Sequence, residues 1–334
     1  MKDLRPPLYW VLIAKGIGIT LVVVGHFFPA NSPEYWSVLR NTIYTFHMPL
    51  FFFLSGYLYN YSKYRYRTLL SNKIKRLAYP FISMALLFFA IKTAASYFVS
   101  LEHPVDSQSI GKLLTSPDES FAPLLWFVHA LFLMFIMYPL IRKVFTSDIT
   151  ILLFFVSSYL IFGGSLPVFD NAIRFIPFFI FGIVFREREK VLSSLTSGKW
   201  WPAICTSALF LGSYYLLGFG ASWGDRAEYV VKLGLGLSGA LAVIAISACI
   251  DKTPNISRKA LGQIGTYSMT IYLFHVFFES GVRIFFQQVL GTIDSLFAVV
   301  AFIAIVAGIV FPLYLEKYLL RKLAITRRYI LGLS

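Results

Sequence analysis

Four histidines and one glutamate lie inside stretches of the sequence that are otherwise apolar: His26, His47, His129, His275 and Glu279. A neutral imidazole can take a proton from a hydroxyl group, and a carboxylate can hold an imidazole in the orientation that this needs. His275 and Glu279 are four residues apart, so they are neighbours on one face of a helix. The residue types and this spacing indicate general acid–base chemistry.

Five cations share these apolar surroundings: Lys15, Lys92, Arg174, Lys232 and Arg283. An ionisable side chain in hydrocarbon costs at least about 2.5 kcal/mol, so by default it faces the interior of a helix bundle and marks a functional site. The alternative for any single residue is a position at the membrane surface, where the charged end reaches water. That alternative suits Lys232, Arg174 and His47.

The first apolar stretch carries two of these residues on one side. Lys15 and His26 are eleven positions apart, which in a helix is three turns plus about 20° and a rise of about 16 Å. Their side chains therefore point the same way. We expect this stripe to face His275, Glu279 and Arg283 across a polar cavity.

The composition indicates that these residues lie on helices that span a membrane. Of 334 residues, 57% are hydrophobic and only 14% are charged, and the mean hydropathy is +0.70. The net charge of +14 would suggest a nucleic-acid partner in a soluble protein, but here the cations separate long apolar runs, so we expect no nucleic acid. Two cysteines exclude a disulfide scaffold and a cysteine-based metal cluster, and we predict no metal site.

The sequence predicts an all-α, polytopic membrane protein with about ten transmembrane helices and a single integral-membrane domain over residues 1–334. Each span needs about 20 mostly apolar residues. With these spans, 22 Lys and Arg residues fall on the side of the N-terminus, and only Arg40, Lys112 and Arg226 fall in loops on the other side, so the positive-inside rule places both termini in the cytoplasm. The predicted spans are 9–28, 42–61, 79–99, 122–141, 148–164, 171–186, 200–219, 228–250, 266–287 and 295–316.

A basic segment follows the second predicted span. Residues 63–76 contain six cations, Lys73 and Arg76 among them, and lead into Tyr79 and Pro80. The segment could anchor to anionic lipid. Alternatively, it could hold a phosphorylated ligand from the cytoplasm.

Three local patterns resemble one family. The first is Lys15-Gly16 followed by Gly25-His26, the second is the run Phe46–Tyr57 (FHMPLFFFLSGY), and the third is Lys73-x-x-Arg76 before Tyr79-Pro80. Together they resemble the acyltransferase-3 family of membrane O-acyltransferases, especially the branch that acetylates sugars and polysaccharides. Weaker similarities follow at Leu125–Phe127, Arg174–Gly182 and Ser268–His275. Two departures are Leu12, where the family often has Asp, and Lys at positions 15 and 73, where Arg is also common.

The resemblance implies transfer of an acyl group, usually acetyl, from cytoplasmic acyl-CoA to a hydroxyl of a glycan or lipid-linked oligosaccharide at or near the outer face. The implied location is the bacterial cytoplasmic membrane, with acetyl-CoA as donor, membrane lipid as surroundings and no metal. The acceptor sugar, the acyl group and the oligomeric state stay open.

The resemblance also implies residue roles. His26 is the expected general base, and Glu279 could orient either His275 or His26. Candidates to stabilise the oxyanion are Lys15, His275 and Trp126. The full expected set is His26, Glu279 and His275 as catalytic residues, Lys15, Lys73 and Arg76 for acyl-CoA, and His47, Trp126, His129 and Arg174 for the acceptor.

Two other functions compete with an enzyme. A transporter of a sugar or lipid-linked sugar would also need a polar cavity, but it predicts interrupted helices at matching places in two halves, and the sequence has no such symmetry. A structural scaffold leaves the five cations of the apolar stretches unexplained. Binding or hydrolysis of acetyl-CoA separates the enzyme from the transporter.

Overall fold

The computed structural model describes residues 9–30, 32–59, 66–97, 103–162, 166–188, 193–218, 224–291 and 296–333. Within these ranges the regular structure is helical and contains no strand, which confirms the all-α prediction. Residues 1–8, with Lys2 and Arg5, lie outside the described ranges, as do Lys63 and Arg65. The orientation of the termini stays a prediction.

The helices differ widely in length, from 6 to 28 residues. In chain order they are α1 Tyr9–His26, α2 Glu34–Tyr57, α3 Tyr66–Lys73, α4 Tyr79–Ala95, α5 Ser107–Thr115, α6 Trp126–Val144, α7 Asp148–Phe162, α8 Asp170–Glu187, α9 Trp200–Ser213, α10 Asp225–Lys252, α11 Ile256–Thr266, α12 Ser268–Leu290, α13 Phe297–Leu315 and α14 Ala324–Tyr329. Wider π turns continue three of them, at Ile74–Ala78, Tyr214–Gly218 and Glu316–Leu320.

Six segments of the described chain are long and apolar enough to cross a membrane, so the protein is a multi-pass membrane protein. The predicted count of about ten stays a prediction. The six segments are Tyr9–His26, Tyr66–Ala95, Pro123–Val144, Asp225–Lys252, Ser268–Leu290 and Phe297–Leu320.

Some parts of the chain that were expected to be loops are helical. Helix α2 begins at Glu34, not at residue 42, so Arg40 lies in a helix, and the expectation that it lies in an outer loop is wrong. Helix α11 occupies part of the expected loop after α10. Asn255 caps the start of α11, because its side chain accepts a hydrogen bond from the backbone N–H of Arg258 (2.9 Å).

The helices divide into two compact units. The first contains Met1–Leu54 and Phe185–Lys317, and the second contains Ser55–Val184 and Tyr318–Ser334.

Glycines allow α1 and α11 of the first unit to pack backbone against backbone. A Cβ at Gly265 would lie 1.8 Å from the carbonyl oxygen of Leu12, and one at Gly16 would lie 2.1 Å from that of Leu261. Neither position has room for a methyl group. Small residues at a helix crossing permit this close approach in membrane proteins, and here the crossing fixes the helix that carries Lys15 and His26.

Aromatic side chains form the core of the second unit. The Tyr59 ring lies 5.0 Å from that of Phe135, 5.8 Å from that of Tyr138 and 5.5 Å from that of Phe179. The backbone joins this core at Gly56, where a Cβ would lie 1.9 Å from the carbonyl oxygen of Phe179. These contacts hold the start of the second unit against α6 and α8.

A buried polar network fixes the turn between α6 and α7. The Tyr138 hydroxyl donates to Asp148 Oδ1 (2.6 Å), and Arg142 Nε lies 3.0 Å from the same oxygen. Tyr138 is fully buried and Asp148 is 6% exposed, so water cannot replace the lost bond if the hydroxyl is removed.

Replacing Tyr138 with Phe should therefore lower the free energy of unfolding by about 2 kcal/mol, the usual range for a hydrogen bond to a charged group. Unfolding in mixed micelles with increasing denaturing detergent measures this difference. The matched control is Tyr97→Phe, since Tyr97 is 81% exposed. An equal, small effect of both substitutions would contradict a stabilising role for the network.

Candidate functional site

The accessible histidine of the first unit is His26, the last residue of α1. Its ring centroid lies 5.1 Å from that of His275, edge to face, and 6.0 Å from that of Tyr44. His26 is exposed, whereas His275 has no exposed surface. His26 therefore presents the exposed imidazole of this pair.

An apolar cluster holds the end of α1 in place. The Trp36 indole N–H donates to the carbonyl oxygen of Phe27 (2.7 Å), which joins the residue after His26 to α2. The Phe297 ring lies 5.9 Å from that of Phe27 and 5.3 Å from that of Trp36. Residues of three helices thus hold the end of α1 that carries His26.

Backbone contacts fix the protonation pattern of His275. Its Nδ1 lies 3.0 Å from the carbonyl oxygen of Ile271 and 2.9 Å from that of Tyr272. Because carbonyl oxygens only accept, Nδ1 carries the hydrogen, and a neutral ring then has a free lone pair on Nε2. That nitrogen is buried and has no hydrogen-bond partner within the described residues. Buried polar atoms are rarely left this way, so His275 Nε2 is a candidate contact for a bound molecule.

His47, on α2, also has its Nδ1 next to a backbone carbonyl oxygen. Its Nδ1 lies 2.8 Å from the carbonyl oxygen of Ile43, and the residue is 5% exposed. The Tyr44 ring lies 5.0 Å from the His47 ring, and its hydroxyl donates to the carbonyl oxygen of Gly25 (3.1 Å). The imidazoles of His26 and His47 therefore flank one tyrosine.

Arg40 is a member of this site that the sequence analysis missed. Its Cζ lies 4.4 Å from the centroid of the Phe28 ring and 4.4 Å from that of Tyr44. Arg40, Tyr44 and His47 are spaced i, i+4 and i+7, which is one face of a helix. This spacing was the signal that could have found Arg40, once α2 is known to begin at Glu34.

Glu279 is buried one turn after His275, and its Oε1 has no hydrogen-bond partner within the described residues. Gly308 of α13 makes room for it, since a Cβ there would lie 3.0 Å from Glu279 Cγ and 3.1 Å from Oε1. The position next to His275 Nδ1, where a triad carboxylate would bind, holds the carbonyl oxygens of Ile271 and Tyr272 instead. Glu279 Oε1 thus joins His275 Nε2 as a buried polar atom without a hydrogen-bond partner in the described part of the chain.

Lys15 lies on α1, the helix of His26, and Arg283 lies on α12, the helix of His275; both side chains are half-buried. The chain as described offers Lys15 no hydrogen-bond or ion-pair partner. An unpaired ammonium inside a membrane span is costly, which keeps Lys15 a candidate contact for an anionic or polar ligand.

The other five predicted site residues belong to the second unit. Trp126 packs on Phe175, with ring centroids 5.2 Å apart, and the half-buried His129 ring lies 6.0 Å from that of Phe81. Arg174 Nε donates to the Tyr159 hydroxyl (3.1 Å). The remaining two are Lys73 and Arg76.

Lys73 and Arg76 do not share a helix face. Lys73 Nζ lies 3.2 Å from the centroid of the Phe135 ring, a cation–π contact, whereas Arg76 is exposed. The π turn Ile74–Ala78 begins directly after Lys73 and widens the helix, so residues three apart no longer align. Arg76 is therefore the freer of the two to contact a soluble anion.

No three His, Cys, Asp or Glu side chains of the described ranges are grouped as a metal site would need. The arrangement instead offers one accessible imidazole, two buried imidazoles with unprotonated Nε2 atoms and a nearby guanidinium. Such a set can accept a proton and stabilise negative charge.

The comparison with curated proteins and the comparison with solved structures found no match. The model of the acyltransferase domain (Acyl_transf_3) matches residues 8–316, which include His26, Arg40, His47, His275 and Glu279. Because that match covers most of the sequence, the chain belongs to the acyltransferase-3 family and is a membrane acyltransferase.

Proposed function

We propose that this acyltransferase moves an acetyl group from cytoplasmic acetyl-CoA to a hydroxyl of a cell-surface glycan or lipid-linked oligosaccharide, with His26 as general base. The reaction takes place at or near the outer face of a bacterial cytoplasmic membrane. Residues 1–334 act as one integral-membrane domain with both termini in the cytoplasm.

The observation that carries the proposal is the accessible His26 beside buried polar groups that lack partners. His26 lies 5.1 Å from the ring of His275, whose Nε2 is buried without a partner among the described residues, as is Oε1 of Glu279. Each buried polar atom without a partner costs free energy, and two of them beside an exposed imidazole favour a site that binds a polar molecule. The acceptor hydroxyl groups of a sugar would supply the missing hydrogen bonds.

The chemistry needs one proton transfer from the acceptor. The sugar oxygen attacks the thioester carbonyl carbon as its hydroxyl proton passes to a ring nitrogen of His26. The carbon–sulfur bond then breaks, the ester forms, and CoA leaves as a thiolate. His26 returns its proton to the thiolate or to water, so atoms and charges balance.

Negative charge on the carbonyl oxygen requires a donor or a cation. His275 presents an unprotonated Nε2, so in this tautomer it cannot donate. Lys15 lies about 16 Å from His26 along α1. We assign the charge stabilisation to Arg40, whose Cζ lies 4.4 Å from the Tyr44 ring centroid beside His26. Lys15 then contacts a part of acetyl-CoA that lies away from the thioester.

The remaining assignments follow the family. Lys73 and Arg76 of the second unit bind the phosphates of acetyl-CoA, with Arg76 in direct contact because it is exposed. His47, Trp126, His129 and Arg174 contact the acceptor.

Purified protein in detergent tests the donor assignment. We expect wild type to bind acetyl-CoA and slowly release CoA, because water can replace the absent acceptor. Calorimetry measures binding, and a thiol reagent measures free CoA. Succinyl-CoA in a parallel reaction tests the acyl group. A protein that keeps its melting temperature but does not bind acetyl-CoA would contradict the proposal.

A further inference from the structure

The last residues of the chain pack on the helical segment that carries Lys75 and Arg76. A Cβ at Gly332 (φ +63°) would lie 2.5 Å from the carbonyl oxygen of Lys75 and 2.6 Å from Arg76 Cα, so only glycine allows this contact. Further along, in α4, the Ser83 hydroxyl donates to the carbonyl oxygen of Tyr329 (2.9 Å). The segment 318–333 lies beyond the part of the chain that the family model matches.

Aromatic rings and a guanidinium come together at this contact. The Tyr329 ring lies 5.2 Å from that of Tyr79 and is tilted by 39°. Arg328 Cζ lies 5.4 Å from the Tyr329 ring centroid. Tyr329 is nevertheless 41% exposed, so part of its ring remains open to a ligand.

The charged side chains of the two segments that meet here have one sign. Residues 66–97 and 318–333 contain no Asp or Glu. Four exposed cations are residues of this contact or lie within a few positions of it in the sequence: Lys75, Arg76, Arg327 and Arg328. In the part of the chain that the structure describes, none of the four forms an ion pair. An uncompensated basic surface attracts an anion of several charges.

We infer that the C-terminal segment 318–333 forms, with Lys75 and Arg76, the binding site for the nucleotide end of acyl-CoA. Arg327 and Arg328 bind phosphate oxygens together with the two helix cations, and the Tyr329 ring stacks on adenine. The inference rests on the proposed function, since it takes acyl-CoA as the donor.

A lipid headgroup shares the phosphate chemistry but not the aromatic base. Anionic lipid would use the cations, but its headgroup has no aromatic base to stack on the exposed part of the Tyr329 ring. A nucleotide uses both, which is why the surface is assigned to acyl-CoA.

The double variant Arg327→Gln/Arg328→Gln tests the site in the full-length protein. We expect its dissociation constant for CoA to rise at least about tenfold, as for the loss of a charge-assisted hydrogen bond. The matched control is Lys252→Gln/Lys259→Gln, which removes the same charge from exposed positions of the first unit and should bind CoA within about twofold of wild type. Both variants should keep the melting temperature, because the replaced side chains are exposed.

Two probes separate nucleotide from lipid. Adenosine 3′,5′-bisphosphate should compete with CoA on wild type and lose affinity in the double variant. Acetyl-pantetheine, which lacks the nucleotide, should react with an unchanged KM in both. Tyr329→Leu keeps every charge and should weaken CoA binding about fivefold or more through lost stacking.

Three outcomes would overturn the inference while leaving the proposed function intact. One is a double variant that binds CoA as wild type does. Another is a double variant in which the KM for acetyl-pantetheine rises as much as the dissociation constant for CoA. The third is a variant that loses affinity only for vesicles of phosphatidylglycerol. Failure of wild type to bind acetyl-CoA would instead overturn the proposed function.

Discussion

His26→Gln should lower the rate of acetyl transfer by about 10²–10⁴-fold, the usual contribution of a general base. Gln keeps a polar side chain of similar reach but cannot accept and release a proton. The melting temperature and the dissociation constant for acetyl-CoA should stay near the wild-type values, because His26 is exposed and makes no hydrogen bond to the fold within the described chain. Single-turnover release of CoA, measured beside binding, separates the chemical step from donor affinity.

The matched control is His103→Gln. His103 precedes α5, and its backbone oxygen accepts a hydrogen bond from Lys92, which the substitution preserves. A rate for His26→Gln within about threefold of wild type would remove His26 from the chemistry. His47 and His275 would not replace it as the first choice, since both are buried and both hold Nδ1 against a backbone carbonyl.

Gly265→Leu should prevent stable folding. A Cβ alone would lie 1.8 Å from the carbonyl oxygen of Leu12 and 2.9 Å from the backbone nitrogen of Gly16, so α11 must move away from α1. Overpacking of a core by small groups already costs about 1–3 kcal/mol, and here the obstruction is backbone, which cannot rotate aside. We expect the variant to lose at least about 3 kcal/mol, seen as a lower melting temperature and aggregation on size-exclusion chromatography.

The control for this prediction is Gly234→Ala on α10, where a Cβ would meet nothing within 4 Å. Alanine is favoured over glycine in a helix by about 0.5–1 kcal/mol, so this variant should match or exceed wild-type stability. Wild-type stability of Gly265→Leu would mean that α1 and α11 are not held as close as described.

The sequence predicted some features of the site because they depend on spacing within one helix. His275 and Glu279 lie one turn apart on α12, and His26 lies beside His275, as the facing stripes suggested. Helix periodicity is a local property, so it can be read without knowing the neighbours.

Arg40 was missed for a different reason. The residues from Glu34 to Arg40 are too polar to extend an apolar span, and hydropathy therefore began the second helix too late. Helix α11 was missed because it is short and basic, and its close contact with α1 depends on Gly16, Gly262 and Gly265, which carry no periodic hydrophobic signal. Tertiary packing decides both cases.

The π turn after Lys73 has a consequence for how chains of this kind are compared. A π turn contains one residue more than an α turn. Lys73 and Arg76 therefore stay three positions apart in the sequence, but their side chains point in different directions around the helix axis. A homologue without the extra residue would present its second cation toward the first. A sequence alignment on the motif would then pair Arg76, which faces solvent here, with a cation of the homologue that faces the aromatic core. The residue that is structurally equivalent to Arg76 would lie one position away in the homologue.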